Sequence, residues 1–225
     1  MKLSTITLST LLATALPQAI SAQGIFNEML FAKDKTVFTL NSPDKPTLRL
    51  YDNGTDGKAI KAIRMKKAED GLWHAEVKGD ISGKFYTFDT GNGECPGLFA
   101  KAVGVNGNRA AVIDMRSTDP DGWLQDKRPA LKSPCDLIIY EFHHRDFSID
   151  PSSGLQHKGK FLALTEPKAI DYLKSLGVNA IHILPSFDYA SVDETHLDTP
   201  QYNWGYDPKN YNVPEGSYST DPYLP

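Results

Sequence analysis

The hydrophobic period of this chain changes partway along its length, and that change limits what it can fold into. Between residues 28 and 116 the apolar residues come in short alternating runs: Val37-Phe38-Thr39-Leu40, Thr47-Leu48-Arg49-Leu50-Tyr51, Leu72-Trp73-His74-Ala75-Glu76-Val77 and Phe85-Tyr86-Thr87-Phe88. Alternation puts one face of each run in a core and the other in water, as in half-buried antiparallel strands. Asp52-Asn53-Gly54 carries a hairpin dipeptide, and Val112-Ile113-Asp114-Met115 reads as a last strand. Short strands with glycine turns predict an immunoglobulin-like β-sandwich over 28–116. Residues 117–134 are rich in Asp, Pro, Lys and Arg, the composition of a surface linker, with Trp123 expected to pin it between two domains. From Cys135 onward the pattern differs. Leu137-Ile138-Ile139-Tyr140 is apolar throughout, as in a strand buried on both faces. Residues 167–176 place Ile170, Leu173 and Leu176 on one helical face, closed by Gly177, and Val178 to Leu184 reads as a second buried strand. Strand, helix, strand is a parallel βαβ unit, which opens a dinucleotide-binding sheet or an eightfold barrel equally well. No Gly-x-Gly-x-x-Gly follows the first strand, which weighs against the former.

The first residues describe a secretory leader. Lys2 precedes the apolar run Ile6 to Pro17, and Ala19-Ile20-Ser21-Ala22 supplies small residues for cleavage. Residues 1–22 are therefore expected to be a signal peptide, and the protein to be exported to a periplasm or medium. The run is shorter than the roughly 20 apolar residues that a membrane helix needs, so no membrane span is expected. A formal net charge of −4 speaks against nucleic acid, which demands clustered Lys and Arg. Cys95 and Cys135 leave two readings open, a disulfide or a pair of buried free thiols. His143, His144, His182 and His196 show no spacing that would hold zinc, and no metal ligands are assigned.

One segment points to chemistry. Tyr202-Asn203-Trp204-Gly205-Tyr206-Asp207-Pro208 sets three rings, an amide and a carboxylate on a stretch broken by Gly and Pro. Rings suit the flat C–H faces of a sugar, and polar groups suit its hydroxyls. A loop whose aromatics merely cap a core would read the same.

This heptapeptide resembles a signature of type I pullulanases, the α-1,6-glucan debranching members of glycoside hydrolase family 13. Other motifs follow in order. Ile139-Tyr140-Glu141-Phe142-His143-His144-Arg145-Asp146-Phe147 resembles the start of the family's catalytic barrel, followed by Lys158-Gly159-Lys160-Phe161, Ser191-Val192-Asp193-Glu194 and Pro214-Glu215-Gly216-Ser217-Tyr218-Ser219-Thr220-Asp221-Pro222. Upstream, Ala102-Val103-Gly104-Val105-Asn106-Gly107 and Asp126-Lys127-Arg128-Pro129 resemble its interdomain stretch. The alternating region is similar to carbohydrate-binding module family 48. That family's usual Trp-Ala-Pro is here Asn41-Ser42-Pro43, and Trp73 is expected to pack rather than to carry sugar.

The resemblance implies a β-sandwich followed by the start of a (β/α)8 TIM barrel over residues 135–225. That stretch is far short of the roughly 200 to 250 residues a whole barrel needs, so a truncated barrel is expected. It also implies a retaining hydrolase of α-glucan polysaccharides. Retaining enzymes use a nucleophile and an acid about 5 to 5.5 Å apart, and none of this chain's carboxylates matches the family's catalytic motifs. No catalytic residue is assigned, and the chain alone is expected to be inactive. By resemblance Tyr206 stacks under the sugar, Trp204 and Asn203 line the same pocket, and Glu141 and Asp146 serve barrel architecture. No cofactor is expected; family members often bind calcium, but no ligand loop stands out. Competing expectations are an isoamylase or glycogen-debranching relative, and a stand-alone glucan-binding module.

Overall fold

The computed structural model describes residues 26–223. The expected leader, residues 1–22, lies outside the described residues. The alternating runs form the strands their pattern predicts. In chain order these are β1 (Met29–Phe31), β2 (Lys35–Leu40), β3 (Thr47–Tyr51), β4 (Lys61–Arg64), β5 (Lys66–Lys67), β6 (Trp73–Lys78), β7 (Phe85–Asp89), β8 (Glu94–Cys95) and β9 (Ala110–Ala111). They divide into two antiparallel sheets, β1-β2-β6-β5 and β4-β3-β7-β8, with β9 also paired to β7. Phe38, Ala75 and Val77 of the first sheet meet Leu48, Leu50, Tyr86 and Phe88 of the second in one core, which makes the unit a sandwich. The Tyr86 ring lies edge-on to Phe38 at 4.9 Å and to Phe88 at 5.5 Å, a favourable arrangement of ring quadrupoles. Trp73 is half-buried against this core and donates its indole N–H to the Ser42 carbonyl at 2.9 Å, so it packs as expected.

Several details depart from the sequence pattern. Asp52-Asn53-Gly54 does not form a tight hairpin; β3 and β4 are joined by a longer loop that Arg109 organises. Its guanidinium donates to the carbonyls of Asn53 at 2.8 Å and Gly57 at 3.0 Å, and lies 3.6 Å over the Tyr51 ring. The last strand falls at Ala110–Ala111, before Val112. The Asp114 side chain accepts the Arg116 N–H and caps a 3-10 turn over Met115–Thr118, which competes with any ladder there. Trp123 is 56% exposed and does not pin the linker. Both cysteines are free and exposed, so neither the disulfide nor the buried thiols are found.

The second part contains β10 (Ile139–Phe142), α1 (His144–Ile149), α2 (Pro167–Ser175), β11 (Ala180–Ile183), β12 (Phe187–Tyr189) and β13 (Pro208–Pro214). β10 and β11 are parallel, with Glu141 opposite His182, and β12 pairs antiparallel with β13. Phe142 is buried and stacks on Phe147 of α1 at 4.5 Å. The other face of this pair, which carries Ile139, Glu141 and His182, is open, with Ile139 58% exposed, and Ile181 on the Phe142 face is 44% exposed too, against the expectation of burial on both sides. Two parallel strands fit an open sheet and a barrel alike.

The two parts meet at the turn Val105–Gly107. Asn106 there has φ 60°, a left-handed conformation that Asn tolerates better than most residues. Its N–H donates to a Glu194 carboxylate oxygen at 2.6 Å, while the Glu194 N–H returns to Asn106 Oδ1 at 2.7 Å. Lys209 of β13 donates to the Asn106 carbonyl at 2.7 Å, and Asn210 to the Gly107 carbonyl at 3.0 Å. Beneath lie three buried carboxyls, Asp188, Glu194 and Glu215, with oxygens within 4.8 Å of one another. Glu215 accepts the N–H groups of Ser217 at 2.9 Å and Tyr189 at 3.0 Å. Burial raises all three above the usual carboxyl range, Glu215 to about 7, against the lowering pull of those hydrogen bonds.

Two predictions follow from this packing. Gly104 comes so close to Gly54 that a Cβ on it would lie 2.6 Å from the Gly54 Cα. Gly104→Ala is expected to cost roughly 1 to 3 kcal/mol, read as a lowered Tm. The raised carboxyls bind protons more tightly folded than unfolded. For Glu215 that contribution to stability is full below about pH 4.5 and is lost as the pH climbs through about 7, and Asp188 and Glu194 act in the same direction. The slope is up to about 1.4 kcal/mol per pH unit for each proton lost. Glu194→Gln puts an amide beside Glu215 where a proton would sit, and thermal unfolding across pH 4 to 8 is expected to show a flatter profile with a higher Tm at pH 8.

Candidate functional site

The aromatic loop leaves Ser191, runs past a 3-10 turn at Glu194–His196 and returns into β13 at Pro208. Tyr189 pairs with Pro208 across β12 and β13, and the Ala190 N–H donates to the Asp207 carbonyl at 3.2 Å, so the loop's two ends are tied. Gly205 turns with φ 82°, open to glycine at little cost, and a Cβ there would lie 2.9 Å from the Pro185 carbonyl oxygen. The backbone thus presses on the segment that follows β11, and the flanking side chains project outward. Trp204 is 62% exposed and Tyr206 64%.

Asn203 differs from its neighbours. Its amide nitrogen donates to Asp207 Oδ1 at 2.8 Å and to the Ser191 hydroxyl, and its carbonyl accepts the Gly205 N–H. The sequence names Asn203, Trp204 and Tyr206 as one substrate-contacting set; the structure gives the two rings to solvent and turns the amide to the loop's own backbone and side chains. Large rings exposed on a tied loop can stack on the apolar faces of a planar or pyranose ligand.

Beside the loop, past the C-terminal end of β11, lies an open hollow of about 440 Å³ lined by Leu184, Pro185, Phe187 and Tyr211 among others. Phe187 and Tyr211 sit with ring centroids 6.0 Å apart, so the aromatic character extends beyond the heptapeptide. Glu141 and His182, 2.7 Å apart, project from the exposed face of β10 and β11. Asp146 is exposed in the first turn of α1, whose N-terminus is capped by the His143 ring.

Among the described residues Asp188, Glu194 and Glu215 are the one group of three that could hold a metal ion. Calcium takes six to eight oxygen ligands. Here N–H donors of Asn106, Tyr189, Ser217 and Asn210 already aim at these carboxyls, while Glu194 Oε1 is buried without a partner. All three are buried at the junction, so none reaches a ligand on the loop. Their role was missed in the sequence, where Asp193-Glu194 and Glu215 stand only as members of motifs. Ser191 and Asp207 were missed too, although both lie within reach of Asn203 in any closed loop.

No known protein-family model matches the chain. The chain is 37% identical to the pullulanase of Bacillus subtilis (strain 168) over 210 residues, which cover 87% of this chain and 28% of that protein. It superposes on the crystal structure of apo pullulanase from Paenibacillus barengoltzii with a TM-score of 0.84 at 46% identity, over 89% of this chain and 33% of that one. A mutant of the same Paenibacillus barengoltzii enzyme complexed with maltotriose gives a TM-score of 0.85 at 46% identity, over 90% of this chain and 34% of that chain. The chain therefore spans between 28% and 34% of the length of these relatives. Ordered motifs, a shared sandwich and identity at this level place the chain in the pullulanase family.

Proposed function

We propose that the chain is the N-terminal part of an exported pullulanase that hydrolyses α-1,6-glucosidic branch links in pullulan, starch or glycogen with retention of configuration. The observation that carries this reading is the tied loop with Trp204 and Tyr206 exposed, beside the aromatic hollow at the end of β11. In a βα barrel the active site lies at the C-terminal ends of the strands, and the loop stands at that end of β11. On this reading β10, α2 and β11 begin the (β/α)8 barrel, and the open face of β10 and β11 is the one that later strands cover. The similarity to a maltotriose-complexed pullulanase supports an α-glucan as the ligand.

The residues of this chain bind and orient. Tyr206 offers a ring face to the sugar at the point of cleavage, and Trp204 borders the same pocket. The nucleophile and acid would come from other barrel strands, so the purified chain binds glucan without cutting it. The junction carboxyls fix the sandwich against the barrel and take no part in bond cleavage.

Isothermal titration of the 225-residue chain with maltotetraose tests the reading. Binding is expected, with Tyr206→Ala weakening it about tenfold, equal to about 1.4 kcal/mol. No release of reducing ends from pullulan is expected from the same sample. Turnover would overturn the inactivity, and binding that ignores Tyr206→Ala would move the glucan site elsewhere. Export is tested by the N-terminus of the mature protein, which is expected at Gln23; an intact Met1 would remove it.

A further inference from the structure

The aromatic loop raises a narrower question, namely what keeps two exposed rings in one place. Exposed Trp and Tyr side chains have no packing of their own to fix them, so their position is set by the backbone between them. That backbone is Asn203 to Asp207, and its conformation is held by one side chain. Both N–H bonds of the Asn203 amide are used, one on Asp207 Oδ1 at 2.8 Å and one on the Ser191 hydroxyl. The Gly205 N–H on Asn203 Oδ1 fixes which way the amide faces. Gly205 in turn sets the two rings on either side of the bend.

Asn203 also faces inward. It borders a cavity of about 20 Å³ beneath the loop, with Arg145, Tyr189 and Tyr218 among the other walls. That volume holds about one water and excludes a sugar ring. Desolvation pushes the Asp207 carboxyl up, but hydrogen bonds from Asn203 and from the side chain and backbone of Ser191 outweigh it and hold the group below its usual range. Asp207 is therefore a standing acceptor for the amide at neutral pH. Arg145 is the charged side chain that shares the cavity from α1.

We propose that Asn203 is a positioning residue, whose amide braces Ser191 and Asp207 so that Trp204 and Tyr206 stand as a fixed pair of rings, and that it does not itself touch the glucan. The inference rests on the proposed glucan-binding function for its ligand, and on the loop geometry alone for the brace. An Asn at this place is chosen for having a donor and an acceptor on one short, planar group. Asp keeps the shape and the acceptor but sets a second carboxylate against Asp207.

The test uses the whole chain labelled with 5-fluorotryptophan, read by fluorine NMR, with maltotetraose binding measured in parallel. The Trp204 signal is assigned by Trp204→Phe, and the Trp73 signal reports that the sandwich is folded. In Asn203→Asp the two carboxylates repel at pH 8, so the Trp204 signal is expected to move and binding to weaken at least tenfold. Near pH 5 one shared proton restores the hydrogen bond, and both readouts are expected to return towards the parent values. The reciprocal variant Asn203→Asp with Asp207→Asn rebuilds an amide–carboxylate pair in the opposite order and is expected to match the parent at both pH values. A Trp204 signal unmoved by Asn203→Asp overturns the brace. A reciprocal variant that recovers the signal but not the binding overturns the claim that Asn203 does not touch the sugar. If the parent chain fails to bind maltotetraose while the fluorine pattern holds, the glucan reading falls and the brace stands.

Discussion

The contact between Asn106 and Glu194 is the one on which the arrangement of the molecule depends. It joins residues 88 positions apart through two reciprocal hydrogen bonds, each using the backbone N–H of one partner and a side chain of the other. A buried carboxylate is costly unless its charge is met. Here the cost is met by the N–H groups of Asn106, Tyr189 and Ser217 and by protons retained among Asp188, Glu194 and Glu215. Asp188 and Glu215 belong to the segments that flank the aromatic loop, so the grip on the sandwich turn also fixes the base of the candidate site. Lys209 and Asn210, one and two residues beyond the loop's Pro208, complete that grip.

The sandwich was legible because alternation is a local signal, and β2, β3, β6 and β7 each carry it. β9 was not, since Ala110-Ala111 has no side chains large enough to show a period; its pairing with β7 depends on the chain folding back from Ala102. The apolar runs at Leu137 and Val178 give the right element type and the wrong burial, because burial is a property of neighbours, and Ile139 on one face and Ile181 on the other are both exposed. Trp123, expected to pin the linker because it is the one large apolar residue there, is exposed instead. The junction was illegible for a further reason. Glu194 and Glu215 look like solvated charges in a polar loop, and only distance shows them facing each other.

The aromatic loop is legible in the sequence as a segment rich in rings, whereas the hydrogen bonds inside it are not. Residue type alone cannot separate an amide that binds sugar from one that holds a turn, since both need a donor and an acceptor. In the structure both N–H bonds of the Asn203 amide are used within the loop. The rings of Trp204 and Tyr206 face solvent while the short polar side chains turn inward. Gly205 allows this division, because its missing side chain lets the bend rest on the Pro185 carbonyl.

Asn106 is followed by Gly107, the dipeptide most prone to lose ammonia through a cyclic imide. That reaction needs the Gly107 nitrogen to reach the Asn106 side-chain carbon. In the closed junction the Gly107 N–H is engaged with the Gly104 carbonyl at 2.9 Å, and the Asn106 side-chain oxygen with Glu194 at 2.7 Å. Both reacting groups are thus held away from each other for as long as the two parts stay docked. Opening of the seam would free both groups, so docking of the two parts is what shields this Asn-Gly step from conversion to aspartate and isoaspartate.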